Sequence, residues 1–204
     1  MGRVMLIAFE GLDQSGKATQ ARLLRVRLAA DGSRVRLVSF PDYETPIGRE
    51  IARALAGERE FGPDTMQLLY IANRFEYKPR IDLWLGAGNV VICDRYRASS
   101  VAYGEAQGLD AAWLDATQRP LPLPAVTVFL DIPPEAGVKR KSSNRDVFER
   151  DLALLARVRE SYRRQAHQPD WVLIDATPAK DEVAEAVARA VLPRLARPSA
   201  PERS

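Results

Sequence analysis

The sequence predicts an α/β fold: a five-stranded parallel sheet with helices on both faces. Five short apolar, β-rich runs, at residues 4–9, 35–40, 90–93, 126–132 and 171–174, are spread over the 204 residues. The longer intervals between them carry apolar residues at helical spacing, the alternation that parallel strands and their crossovers require. The runs are apolar throughout rather than at every second position, as strands covered on both sides are.

The first run leads into a glycine-rich turn, Gly11-Leu12-Asp13-Gln14-Ser15-Gly16-Lys17-Ala18-Thr19, followed by a segment expected to be helical over 19–30. Between a strand and a helix, such a turn is a phosphate cradle. Glycines let successive backbone N–H groups converge, the helix adds its positive end, and a lysine reaches the terminal phosphates. Nucleoside triphosphate binding is therefore assigned to Gly11, Gln14, Ser15, Gly16, Lys17, Ala18 and Thr19. One departure stands out: the hydroxyl residue normally next to the lysine as a Mg²⁺ ligand is replaced by Ala18, with Thr19 one step later. A turn without function would explain the glycines alone, but not the strand, the spacing and the lysine together.

Further helices are expected over 47–56, 64–77, 111–117, 134–141, 147–168 and 180–195, with Asp64 as a cap and Pro134 in a first turn. The proline-rich stretch from Arg119 to Pro124 cannot be helical and should wrap across the surface before the fourth strand. Residues 198–204 have nothing to bury and are expected to be disordered, leaving 1–197 as one domain. A chain of this length buries about 70% of its unfolded surface. Trp84, Trp113 and Trp171 are assigned to packing.

Net charge is +3, and nearly all the basic residues are arginine, the residue suited to gripping phosphate oxygens in pairs. No basic block with interleaved aromatics marks a nucleic-acid binder. Strand-like sequence starts almost at Met1, so no leader is expected, and no apolar stretch reaches membrane-spanning length. Lone Cys93 forms no internal disulfide, and no Cys/His cluster has zinc spacing. A reducing cytoplasm is the expected location.

Ligands of an open parallel sheet gather beyond the carboxyl ends of its strands. Phe40-Pro41-Asp42-Tyr43 follows the second strand there, and Asp94-Arg95-Tyr96 follows the third, with Ser99, Ser100 and Tyr103 beyond it. Asp94 can orient Mg²⁺ or its water, and Arg95 offers a fork to a second phosphate; an inert ion pair is the competing reading. On the helix that follows Asp64, Tyr70, Asn73 and Arg74 lie three and four residues apart and share a face. An aromatic plane beside a guanidinium suits a flat base, although an aromatic stripe also serves plain packing. Residues 139–149 begin with Lys139-Arg140-Lys141 and include Arg145, a basic stretch able to close over a triphosphate.

Together these segments resemble thymidylate kinases, a branch of the nucleoside monophosphate kinases with the P-loop kinase fold. The resemblance runs from the cradle to about Gln168 and is most specific at Phe40-Pro41, at residues 68–76 and at Asp94-Arg95-Tyr96. It implies transfer of the γ-phosphoryl of ATP to dTMP with Mg²⁺, by a homodimer. It also implies that Asp13 meets the acceptor sugar, Tyr43 and Arg95 its phosphate, and Tyr70 and Arg74 the base. Phe40, Ser99 and Ser100 belong to the same acceptor site, Tyr103 crowds the sugar 2′ position, and Glu149 lies near the acceptor and the metal. Gln14 resembles the subclass whose catalytic cations come from the lid, here Arg140 and Arg145 with Lys139 and Lys141. With Ala18 in place of the hydroxyl, Mg²⁺ is expected on the nucleotide phosphates and water, with Asp94 or Asp13, and Glu149, as candidates for its outer shell.

Such chemistry needs no strong general base, because the acceptor phosphate, with a second pKa near 6, is already largely dianionic at neutral pH. The sequence has a single histidine, His167, at the end of a polar helix and far along the chain from the cradle. Two rival readings remain: another nucleoside monophosphate or deoxynucleoside kinase, and a nucleotide-binding regulatory protein with little turnover, which Ala18 favours.

Overall fold

The computed structural model describes residues 5–140 and 151–195. Among these the strands are β1 (Met5–Glu10), β2 (Val35–Ser39), β3 (Val90–Asp94), β4 (Val126–Asp131) and β5 (Trp171–Asp175). They form one parallel sheet in the order β2-β3-β1-β4-β5. The chain leaves β1 toward one edge and later crosses to the other. The loops after β1 and β3 therefore open side by side at the carboxyl edge, as ligand-binding loops of open α/β sheets do.

Alternation along β1 sets what each face buries. Ile7 and Phe9 pack into the cluster that contains Leu24 and Leu28 of α1 (Lys17–Ala30) and Val183, Val187 and Val191 of α8 (Lys180–Leu195). Leu6 and Ala8 pack on the other face with Ile81 of α3 (Pro63–Gly86). That face is completed by α4 (Arg97–Ala106) and α7 (Leu152–Gln165), which pack on one another. Each fully buried Leu, Ile or Phe contributes about 1.5–3 kcal/mol, so this two-sided core fixes the carboxyl edge as a rigid platform. Shorter helices are α2 (Pro46–Leu55), α5 (Ala111–Thr117) and α6 (Pro134–Arg140).

The five strands fall where the sequence places them, to within about two residues at each end. Four helix expectations need correction. The helix expected over 147–168 runs from Leu152 to Gln165, because Asp151 caps it by accepting from the Leu154 N–H. The sequence expectations include no helix at α4: seven of its ten residues, mostly small, are buried, so it has too little polar surface to set a helical period against. α3 continues nine residues past Tyr77 despite Pro79, because Ile81, Trp84 and Leu85 pack beneath β3 and burial outweighs the proline. Asp64 lies inside the first turn, and Gly62 is the cap. Trp171 and Trp84 pack as expected, whereas Trp113 is exposed. Val4, most of the expected lid (141–149) and the tail (198–204) lie outside the described residues.

α2 rests directly on the loop after β2. A Cβ at Gly48 would stand 1.7 Å from the Asp42 carbonyl oxygen, a backbone atom that cannot rotate away. Gly48→Ala therefore forces α2 off this loop, at about 1–3 kcal/mol. Thermal unfolding should show Tm lowered by roughly 2–12 °C; an unchanged Tm contradicts the contact.

Candidate active site

The cradle takes the shape its glycines allow. Gly11 (φ +141°) presses against β4: a Cβ there would lie 2.6 Å from the Leu130 carbonyl oxygen and 2.9 Å from Ser15 Oγ. Gly16 caps α1 in the left-handed region, without a side-chain cap, leaving the first N–H groups of the helix for a ligand. Lys17 is buried and donates from Nζ to the Leu12 carbonyl at 2.7 Å. Burial, reinforced by the like charge of Arg95, lowers its pKa to about 8 against the opposing pull of Asp13, Asp94 and Glu10. Among the described residues, Ser15 Oγ is buried with no hydrogen-bond partner. Ala18 is exposed and Thr19 half-buried. From α6, Arg140 donates to the Gln14 carbonyl at 3.1 Å and the Ala176 carbonyl at 2.9 Å, so this lid cation sits on the cradle itself.

Asp13 and Arg95 join the cradle to the end of β3. Arg95 adopts φ +64° and donates from Nη2 to Asp13 at 2.6 Å and from Nη1 to the Gly11 carbonyl at 3.2 Å and Ser99 Oγ at 3.3 Å. Its guanidinium lies 5.2 Å from the centre of the Tyr103 ring, whose hydroxyl donates to Asp13 at 3.2 Å. Burial alone would raise the Asp13 pKa, but the charges of Arg95 and Lys17 hold it well below the usual carboxylate range. Burial would likewise lower Arg95, and Asp13 lifts it above its ordinary value. Asp94, one residue earlier, has a buried Oδ1 with no hydrogen-bond partner.

Beyond this pair opens a cleft of about 100 Å³. It is lined by Asp13, Phe40, Tyr43, Tyr70, Arg74, Arg95, Ser99, Ser100 and Tyr103, the described acceptor residues of the sequence reading. Arg145 and Glu149 lie outside the described residues. Gln67, Leu55 and Gln107 also line the cleft and carried no sequence signal. Arg74 is buried, and burial lowers its pKa. Among the described residues its Nη1 donates to neutral acceptors, Ser100 Oγ at 2.7 Å and Gln118 Oε1 at 3.2 Å, and its Nε has no partner. Ser100 thus orients Arg74, and Ser99 accepts from Arg95.

Asn73 does not join Tyr70 and Arg74 in the cleft. Fully buried, it accepts from the Asp42 N–H at 2.8 Å and donates to Thr45 Oγ1 at 2.7 Å and Glu76 at 3.0 Å. Tyr77 donates to the Asp42 carboxylate, so Asp42 faces α3, while Phe40 and Tyr43 on the same loop line the cleft.

Among the described residues no cluster of three or more His, Cys, Asp or Glu could hold a metal. The unpartnered Asp94 Oδ1 and Ser15 Oγ beside the cradle instead suit a cation that takes most of its ligands from nucleotide phosphates and water, as Mg²⁺ does.

A phosphate cradle joined by one ion pair to a second cleft, lined by aromatic rings and a buried arginine, defines a P-loop phosphotransferase. Comparison with known proteins narrows this. The thymidylate kinase family profile matches residues 9–187. The thymidylate kinase of Plasmodium falciparum is 37% identical over 172 residues, covering 84% of this chain and 81% of that protein. That of Arabidopsis thaliana is 34% identical over 95% of this chain and 73% of its own length. A solved structure of the Candida albicans thymidylate kinase covers 95% of this chain and 93% of that one, with a TM-score of 0.80 and 29% identity. The chain belongs to the thymidylate kinase family.

The state of Lys17 makes triphosphate binding depend on protons. Burial leaves the Lys17 pKa at about 8, and a triphosphate bound against it should raise it again by opposite charge. At pH 8.5, binding should take up roughly three-quarters of a proton, visible in calorimetry as a heat that varies with the ionisation enthalpy of the buffer. Lys17→Ala should remove this uptake; wild-type heats that are equal in every buffer would contradict the assignment.

Proposed function

We propose that this chain transfers the γ-phosphoryl of ATP to dTMP, giving ADP and dTDP, within residues 1–197 acting as one domain. The observation that carries this reading is the Asp13–Arg95 pair, which holds one guanidinium between the cradle and a cleft lined by Tyr70 and Arg74. ATP phosphates lie on Gly11 to Thr19 with Lys17 at the terminal group. The dTMP base stacks on Tyr70, its carbonyl accepts from Arg74, and Tyr43 and Arg95 take its phosphate. Asp13 and Tyr103 face the sugar, where a 2′-hydroxyl would crowd Tyr103. Mg²⁺, when bound with ATP beside Asp94, would neutralise phosphate charge.

A non-bridging oxygen of the acceptor phosphate attacks the γ-phosphorus in line. The new P–O bond forms as the bond to the β–γ bridging oxygen breaks, and ADP leaves with that electron pair. The acceptor is already anionic, so alignment and charge neutralisation by Lys17, Arg95 and the lid arginines Arg140 and Arg145 supply the catalysis. Exposed His167, just past α7, has no part in it. We also place the protein in the cytoplasm as a homodimer, following the family resemblance; no described helix is long and apolar enough to cross a membrane.

ADP release with ATP·Mg²⁺ should depend on dTMP, be weaker with dUMP and be absent with AMP or thymidine. Equal release with thymidine, or none with dTMP, would refute the substrate assignment. Lys17→Ala should lower turnover by about 10³-fold or more while remaining folded by circular dichroism. Arg74→Ala should raise the dTMP KM by roughly 10- to 100-fold, the worth of a charged hydrogen bond, and leave the ATP KM within about twofold.

A further inference from the structure

One carboxylate at the carboxyl edge has no role in this mechanism. Glu10 ends β1, in phase with Leu6 and Ala8, so alternation turns it into the face covered by α4 and α7; it is fully buried. Its Oε1 accepts the Tyr96 N–H at 2.8 Å. Its Oε2 accepts the Ser99 hydroxyl at 2.6 Å and the Tyr162 hydroxyl at 3.1 Å. Ser99 Oγ in turn accepts from Arg95 at 3.3 Å, and the Arg95 N–H donates to the Phe9 carbonyl at 2.9 Å.

Two constraints therefore converge on Arg95. The end of β1 captures the N–H groups of residues 95 and 96, which fixes the left-handed turn that an arginine would not adopt unaided. The relay from Arg95 through Ser99 to Glu10 aims the guanidinium from below, while Asp13 holds it from the cleft side. A buried carboxylate without these donors would cost several kcal/mol, and a glutamine can accept at only one of the two oxygen positions.

We propose that Glu10, acting through Ser99 and the Tyr96 N–H, is the positioning residue of Arg95. This rests on the reading that Arg95 binds the acceptor phosphate. Glu10 touches no substrate; it sets the direction of the group that does.

The test is a double-mutant cycle on kcat/KM for dTMP. Glu10→Gln should lower kcat/KM on the order of 10²-fold, the scale of a misaimed catalytic group, with the Kd for ATP within about twofold of wild type. In an Arg95→Ala background the same substitution should cost less than about threefold, because residues acting through one another are not additive. An equal cost in both backgrounds, or a Glu10→Gln enzyme as active as wild type, overturns the proposal. If Glu10→Gln lacks a cooperative melt, Ser99→Ala decides: it cuts the relay and leaves the carboxylate paired to Tyr96 and Tyr162. It should cost about tenfold in the wild-type background and little beside Arg95→Ala, and full activity overturns the proposal. A wild-type enzyme inactive with dTMP would instead refute the substrate reading on which the proposal rests.

Discussion

The ion pair between Arg95 and Asp13, 2.6 Å apart and mostly withdrawn from water, is the interaction on which the geometry of the site depends. It ties the phosphate cradle after β1 to the end of β3. Pairs of this kind contribute little to stability, because desolvating each ion offsets most of the attraction; removing one partner is what costs, at about 3–5 kcal/mol. The pair is therefore better understood as an orienting device. It leaves a guanidinium at the mouth of the cleft with donors that an acceptor phosphate can take over from Asp13.

Its surroundings make the arrangement possible. Lys17 and Arg95 repel one another in a buried setting, and Asp13, Asp94 and Glu10 offset that repulsion. Arg74, deeper in the cleft, has no carboxylate of its own among the described residues and is held by Ser100 and Gln118. A cation left with neutral partners favours a ligand that supplies an acceptor oxygen, whereas one with a dedicated carboxylate would not. The two arginines of the cleft thus differ in their partners, a carboxylate for Arg95 and neutral acceptors for Arg74; in the proposed function the first takes the phosphate and the second the base. A second anchor fixes the platform behind them, where Asp131 at the end of β4 receives paired hydrogen bonds from Arg159 and Arg163 of α7.

Much of this was legible in the sequence because it rests on local signals. The strands announce themselves by continuous apolar runs, and the cradle by glycine spacing. Phe40, Tyr70, Arg74, Arg95 and Tyr103, carried over from the family pattern, meet in one cleft. What stayed hidden depends on tertiary context. Glu10 reads as a polar strand end, and only the parity of β1 sends it inward. Asn73 shares sequence spacing with Tyr70 and Arg74, yet turns toward the Asp42 loop because two acceptors, the Asp42 carbonyl and Thr45 Oγ1, wait there. Gln118 sits beside a proline-rich stretch that reads as surface, and α4 has too little polar surface for a periodic signal. Arg145 and Glu149, named by the same resemblance, lie outside the described residues.

The claim that Arg95 recognises the acceptor phosphate is tested most directly by comparing the affinities for dTMP and thymidine in the wild-type protein and in Arg95→Ala. The two ligands differ only in the phosphate. If Arg95 is its principal partner, the preference for dTMP over thymidine should fall by at least about tenfold in the variant, the worth of one charge-assisted hydrogen bond, with thymidine binding nearly unchanged. A preference for dTMP that survives intact would show that the phosphate is held elsewhere, and the central role given to the Asp13–Arg95 pair would be wrong.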